Sequence, residues 1–354
     1  MKFYYSPPVW LRSGLVMTLY AALWMGDRHR WQRHSPDPDP TYQPHVFSGF
    51  EAVPIYGEVA HAGSARGTLI CTYGITGSLE DQWILNLLGR KAVAQGYSVV
   101  RFDWRGHGKT AELSPTLTSD GLNEGKDFVH LAAQAKALGC PPPFWFVGYS
   151  LGGQLALWGI YEAQNYAASL GIADNIGGGA VICPSVESAR SLTYLMAHPL
   201  GRYLERSITR ALKTLAWNLH RHHPNDFDPA AIARAHSIWG FDQELVIGRL
   251  GIPTVEEYYA LSSPLRILPQ IQKPTLILYA VDDPMFDPTL VPDLDSACAE
   301  NSAIDLVLTP HGGHVGYVSS ASCQQHYGDP DPWWAINRIL DWVGMIDGDA
   351  TRRV

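Results

Sequence analysis

Short, almost wholly apolar runs alternate along the chain with longer stretches in which apolar residues recur every three or four positions. Thr68–Tyr73, Ser98–Asp103, Phe144–Gly148, Ala180–Cys183, Thr275–Ala280 and Ile304–Leu308 are mostly continuous apolar runs. That is the pattern of parallel strands covered on both faces. Between them, Phe128, Leu131, Ala132, Ala135 and Leu138 follow helical spacing, and Gly139 with Pro141 ends that helix. Ile336, Ile339, Leu340 and Val343 mark one face of a last helix. Strands and helices taken in turn predict an α/β fold with a mostly parallel, doubly wound sheet. Val46–Glu51 and Ile55–Ala60, on either side of Pro54, predict an antiparallel hairpin at its edge.

One stretch breaks the rhythm. From Pro184 to about Gln270 no strand pattern appears, but Ala189–Ala197, Leu200–His220, Pro229–Trp239 and Thr254–Leu261 read as helix. This is too long for a connection and is expected to form a helical cap insertion over the strand ends. The expected organisation is an N-terminal apolar segment and linker (1–45), a first part of the core (46–183), the cap (184–270) and a second part of the core (271–354). Four prolines in residues 35–44 mark the linker.

The N-terminal segment Leu15–Met25 is apolar and follows Lys2 and Arg12. It is shorter than the roughly 20 residues that span a bilayer, and Gly26-Asp27-Arg28-His29 is a poor cleavage site for a signal peptide. It reads first as a helix packed on the body or over the site. Its alternative partner is a membrane surface, with Trp and Arg at the interface.

Composition narrows the function. Hydrophobic content of 46% with 17% charge supports a sizeable core rather than disorder. A net charge of −8 with no long basic run gives nucleic acid no electrostatic footing. The five cysteines (Cys71, Cys140, Cys183, Cys298, Cys323) form no Cys-x-x-Cys pair, and three lie in or beside strand-like runs. They read as buried, reduced thiols, and cytoplasmic localisation is expected.

The chemistry concentrates in four turns. Gly148-Tyr149-Ser150-Leu151-Gly152 follows the apolar strand and precedes a helical stretch, Gln154–Ile160. A nucleophile on a tight strand-to-helix turn needs glycine two places before and after it, because a Cβ there would clash. The helix N-terminus then favours developing negative charge. Ser150 is therefore the candidate nucleophile and the Leu151 N–H half of an oxyanion hole. Thr72-Tyr73-Gly74-Ile75, closing the third strand, Thr68–Tyr73, offers the Ile75 N–H as the other half. Asp103-Trp104-Arg105-Gly106-His107-Gly108 closes the next strand, and its His107 reads as a shaper of the site rather than a base.

The acid and base follow the serine in chain order. Asp282 and Asp283 both sit at the end of Thr275–Ala280, and Asp283, directly before Pro284, is preferred as the orienting acid. Thr309-Pro310-His311-Gly312-Gly313-His314 closes the last strand. His314 is preferred as general base because two glycines let the loop swing it toward Ser150, leaving His311 as a structural partner. Neither the Asp run at 282–287 nor the His220, His222, His223 cluster has the ligand set of a metal site, so no metal or cofactor is expected. The cap aromatics Tyr194, Trp217, Trp239, Tyr258 and Tyr259 read first as core, with lining of an acyl pocket as their functional alternative.

These residues together resemble the YheT-like branch of the α/β-hydrolases. The likeness rests on Pro7-Pro8-x-Trp10-Leu11, Gly148–Gly153, Tyr258-Tyr-Ala-Leu-Ser-Ser263, Asp282-Asp283-Pro284 and His311-Gly-Gly-His314-Val-Gly-Tyr317. The chain departs from the common His-Gly of the oxyanion loop at Tyr73. The resemblance implies an α/β-hydrolase fold, a Ser150-Asp283-His314 triad, and action on carboxylic esters of short or medium acyl chains or on lipids. The same branch contains membrane-anchored hydrolases and ester-forming acyltransferases, so acyl transfer to an alcohol is the alternative activity. A non-catalytic acyl-binding protein is the third reading, and the intact serine, acid and histidine speak against it.

Overall fold

The computed structural model describes residues 3–26, 30–32 and 37–351. Residues 35 and 36 of the proline-rich stretch and the basic positions 28 and 33 lie outside the described residues. Eight strands form one sheet: β1 (Gln43–Ser48), β2 (Pro54–Ala60), β3 (Thr68–Thr72), β4 (Ser98–Phe102), β5 (Phe144–Tyr149), β6 (Ile176–Ile182), β7 (Thr275–Ala280) and β8 (Ile304–Thr309). Their order is β1-β2-β4-β3-β5-β6-β7-β8. The first two strands pair antiparallel at the sheet edge as the hairpin pattern predicts, but β1 ends at Ser48 rather than Glu51 and Pro54 opens β2 instead of separating the strands; β2 meets β4 antiparallel. All other pairings are parallel. The doubly wound arrangement follows from the reversal between β3 and β5, which sends helices to both faces.

Helices α1 (Gly14–Leu19), α2 (Trp83–Ala94), α3 (Thr110–Leu113), α4 (Glu124–Ala137) and α5 (Leu151–Tyr166) accompany the first six strands. Phe128, Leu131, Ala132 and Ala135 are buried as their spacing predicts, while Leu138, just past the end of α4, is exposed. β3, β5 and β7 are buried at every position, so continuous apolar runs were the right signal for them. Strand β6 starts at Ile176, four residues before the expected Ala180. Gly177–Gly179 hides the start: a Cβ on Gly179 would stand 2.2 Å from the Phe146 carbonyl oxygen, so the strand needs glycine where the pattern reads loop.

Between β6 and β7 lie α6 (Ser188–Ala197), α7 (Pro199–His222), α8 (Pro229–Arg234), α9 (Ile238–Phe241), α10 (Ile247–Leu250) and α11 (Val255–Ser262). They pack around their own apolar cluster, including Leu212, Ala216, Leu219, Ile232, Phe241 and Val246, to which Ala111 and Leu117 of the core contribute. The expected helix Pro229–Trp239 is two helices. Ser237 is extended and its hydroxyl accepts from the Gly240 N–H at 2.9 Å, so it caps a new helix instead of continuing the old one. Further helical turns run over Asp242–Leu250, outside the four helices expected between Pro184 and Gln270.

Helices α12 (Leu290–Ala299), α13 (Ala321–Tyr327) and α14 (Trp334–Thr351) complete the core. Ile336, Ile339, Leu340 and Val343 of α14 are buried together against the sheet. All five cysteines are buried and unpaired. Among the described residues no helix is long and apolar enough to cross a membrane.

Candidate active site

Strand β5 ends at Tyr149 and α5 begins at Leu151, leaving Ser150 alone at the turn with φ 55° and ψ −128°. A non-glycine residue held there costs about 1–3 kcal/mol, which the surrounding contacts must offset. The flanking glycines explain how the turn closes. A Cβ on Gly148 would lie 2.1 Å from the Gly152 oxygen, and one on Gly152 would lie 2.3 Å from the Tyr73 oxygen. Any larger residue would push the elbow open. Main-chain bonds pin the turn on both sides, from Ser150 N–H to the Ile182 oxygen and from Ser185 N–H to the Ser150 oxygen.

His314 reaches Ser150 from the loop after β8. Its Nε2 is 2.8 Å from Ser150 Oγ, and its Nδ1 is 2.8 Å from Asp283 Oδ2. The Asp283 side chain is 1% exposed, and its other oxygen accepts from the Met285 N–H at 2.8 Å. The carboxylate is thereby aimed and kept from water, and the ring of Phe286 stands edge-on against His314. Carboxylate, imidazole and alcohol in this order allow a proton to leave the alcohol while the carboxylate steadies the charged ring.

The neighbouring pair lies outside this line. His311 Nδ1 is 3.5 Å from Asp282 Oδ2, and both side chains are partly exposed. Asp282 instead accepts from the Gly313 N–H at 2.9 Å, tying the end of β7 to the histidine loop. Burial raises its carboxyl above the ordinary range.

The loop carrying Ile75 packs on the serine: a Cβ on Gly74 would be 3.0 Å from Ser150 Cβ. Ile75 and Leu151 line the same pocket as Ser150 and His314. Among the described residues no protein acceptor takes the N–H of Ile75 or of Leu151. Tyr73, which stands where many such loops have histidine, points into the core. Its hydroxyl donates to Asp103 Oδ1 at 2.6 Å, and Asp103 also accepts from the N–H groups of Leu79 and Lys109. The substitution therefore joins two site loops through a buried carboxylate.

His107 is placed as a shaper. Its Nε2 lies 3.3 Å from the Thr76 N–H, its Nδ1 lies 3.2 Å from the Arg105 oxygen, and the ring stacks on Trp104. With Nδ1 donating and Nε2 accepting, both nitrogens are occupied. Burial pushes its pKa down to about 3, so it is neutral at ordinary pH. The cap histidines are similarly engaged: His220 bonds the Phe227 oxygen at 2.9 Å and His223 the Ala111 oxygen at 3.0 Å.

Above Ser150 opens a pocket of about 890 Å³, mouth included. Its outer wall comes from the helices between β6 and β7, chiefly Leu192, Leu195, Ile208, Leu212, Leu215 and Phe241. Of the aromatics of that region, Tyr258 and Tyr259 belong to the apolar core with Trp239 packed against it, as first expected, while Tyr194 and Trp217 lie outside it. Tyr259 lines the pocket, but Tyr258 is buried beside it, Trp239 packs on Tyr259, Tyr194 packs on His198, and Trp217 is 40% exposed. Leu and Ile facing inward on α6 and α7 carry the lining, as their amphipathic spacing allowed. Two acids interrupt the apolar wall. Tyr259 donates to Asp242, and burial with the charge of Glu124 pushes Asp120 up to about 7.

Thr18 is a contact that sequence reasoning missed. Its hydroxyl accepts from the His314 N–H at 2.7 Å, across 296 positions of chain. The signal for it was weak: Gly14, Met17, Ala21 and Met25 mark one face of the N-terminal helix, and that face turns out to be the buried one.

A family model described as "Alpha/beta hydrolase family" matches residues 74–322. A Synechocystis sp. protein, slr0264, an esterase by name only, is 55% identical over 349 residues, covering 96% of this chain and 94% of that one. The mouse phospholipase ABHD3 is 28% identical over 257 residues, covering 72% of this chain and 59% of its own. YheT of Escherichia coli, likewise an esterase by name only, is 26% identical over 279 residues, covering 78% of this chain and 76% of that protein.

Proposed function

The chain belongs to the alpha/beta hydrolase family, within its YheT-like branch, and on that premise we propose that it is a serine hydrolase cleaving carboxylic esters through an acyl-enzyme. The observation that carries this reading is the unbroken line Asp283–His314–Ser150, with 2.8 Å at each link. His314 Nε2 takes the Ser150 proton as Oγ attacks the ester carbonyl carbon. The N–H groups of Leu151 and Ile75 receive the oxyanion, and removing one such donor in a comparable site costs about 10²–10³ in rate. As the tetrahedral adduct collapses, the same Nε2–H protonates the leaving alcohol. Water then enters, His314 takes its proton as the oxygen adds to the acyl carbon, and Nε2–H returns that proton to Ser150 Oγ as the C–Oγ bond breaks and the acid leaves. Asp283 holds the ring in the tautomer with Nδ1–H throughout.

Shape and polarity support the acyl side of the substrate. The helices of residues 184–270 act as a cap, and their Leu and Ile side chains suit a short to medium acyl chain or one chain of a lipid. The phospholipase name of one relative fits a lipid ester. Replacing Ser150 by Ala is expected to abolish covalent labelling by a fluorophosphonate with the fold intact. Labelling that persists in that variant would sink the assignment. A series of p-nitrophenyl esters of rising chain length then reads the depth of the pocket.

A further inference from the structure

The N-terminal helix has two faces, and they meet different surroundings. On the inner face Leu11, Gly14, Met17, Ala21 and Met25 are buried. Thr18 bridges from this helix to the histidine loop, accepting from the His314 N–H at 2.7 Å while donating to the Gly14 oxygen at 2.7 Å. The packing around that bridge leaves no slack. A Cβ on Gly14 would stand 1.8 Å from the Asp282 oxygen, and one on Gly313 2.4 Å from the Gly14 oxygen. Met17 fills the space over Gly316. The loop that carries His314 is thus clamped between the end of β7 and the N-terminal helix.

Among the described residues the outer face is largely uncovered. Val9 is 75% exposed, Trp10 59%, Leu23 69% and Trp24 55%, with Val16 and Leu19 beside them. Such a row of large apolar side chains on one short segment needs a partner. Its chemistry selects the kind. The Arg30 guanidinium lies 3.7 Å over the Trp24 ring, and Arg12 is exposed. Residues 1–34 hold five basic side chains and one acid, in a chain whose net charge is −8. Tryptophan, arginine and aliphatic residues together suit the boundary between lipid headgroups and acyl chains, and the basic excess suits an anionic one. From Gly14 to Met25 the helical segment, α1 followed by a π-helical stretch over Tyr20–Met25, is at most about 18 Å long at 1.5 Å per residue, too short to cross a bilayer, so it would lie in the surface.

We propose that this segment docks the enzyme on an anionic lipid surface and, through Thr18, couples that docking to the setting of His314. The inner face holds the base and the outer face meets the lipid, so pressure on one is felt by the other. The proposal rests on the reading of His314 as general base. Thr18 is a positioning residue within it, acting only through the histidine loop.

The test uses the full chain and two probes. Co-sedimentation with vesicles of phosphatidylglycerol and phosphatidylcholine reads docking. The rate of fluorophosphonate labelling at Ser150 reads the state of His314 without an ester substrate. The wild type is expected to bind these vesicles, to release them in high salt, and to change its labelling rate by about fivefold on binding. Changing Trp10→Ser and Trp24→Ser together should remove both binding and response while leaving the basal rate as it was. Thr18→Val should lower labelling rate and kcat about three- to tenfold with KM unchanged, and Thr18→Ser should restore them. A thermal melt separates misplacement from unfolding in the valine variant. A wild type that ignores the vesicles overturns docking. Binding without a rate change, or a folded Thr18→Val protein labelled at the wild-type rate, overturns the coupling. Failure of the serine reading looks different, because Ser150→Ala would then still be labelled.

Discussion

Two aspartate–histidine pairs stand side by side at the ends of β7 and β8, made from the same residue types one or three positions apart. In the inner pair, Asp283 and His314 are 2.8 Å apart with side chains 1% and 14% exposed. In the outer pair, Asp282 and His311 are 3.5 Å apart and 22% and 38% exposed. The inner carboxylate is fixed on both oxygens, by Met285 and by His314. The outer one spends its bond on the Gly313 N–H and so holds the loop rather than a ring. A partly exposed pair of this length is worth little, about 0–1 kcal/mol for a surface pair. A buried, aligned one can fix a tautomer and stabilise a charge. Composition does not separate a relay from a tether; burial and the second oxygen do.

The comparison breaks most visibly at the inner pair. Asp283→Asn is expected to lower kcat by about 10³–10⁴, because the amide favours the wrong tautomer of His314. Steady-state hydrolysis of a soluble p-nitrophenyl ester measures it, and a loss below tenfold would show that Asp283 is not the orienting acid. Asp282→Asn keeps an acceptor for Gly313 and should cost less than about threefold in kcat, visible mainly as a lower thermal midpoint. His311→Gln should leave kcat within about twofold. A large loss in either outer variant would reverse the ranking of the two pairs.

A third set of acids, Asp120 and Asp242, sharpens the contrast because it has no histidine in its bonding. Burial and Glu124 raise Asp120 to about 7, against an unfolded value of about 4. Asp242 is also raised, by burial and by Asp120. A carboxyl whose folded pKa is raised stabilises the fold fully below the unfolded value and loses that contribution as pH rises through the folded one. The thermal midpoint should therefore fall between pH about 4 and about 7, and Asp120→Asn should flatten that fall. Thermal scans across this range, with an unchanged slope in the variant, would refute the assignment.

Much of the frame was written in plain periodicity. Strands β3, β5 and β7 are legible because both faces are covered, which leaves continuous apolar runs. The glycines around Ser150 are legible because backbone crowding there admits nothing larger. The choice between Asp282 and Asp283 was not open to spacing, since both fit one turn and only the bond from Met285 aims the second. The pocket wall was not legible, because amphipathic spacing marks Leu and Ile on α6 and α7 as buried without saying that they face the space above Ser150. Thr18 lay beyond any local pattern, its partner being at the other end of the chain.

That same distance orders events during synthesis. Ser150 precedes His314 by 164 positions, and Thr18 precedes it by 296. At a translation rate of about 5–20 residues per second, the serine is added to the chain roughly eight to thirty-three seconds before its histidine. Throughout that interval it is an ordinary alcohol with no base beside it. On the proposed chemistry, a growing or truncated chain cannot capture acyl groups from its surroundings, and reactivity at Ser150 counts only finished molecules.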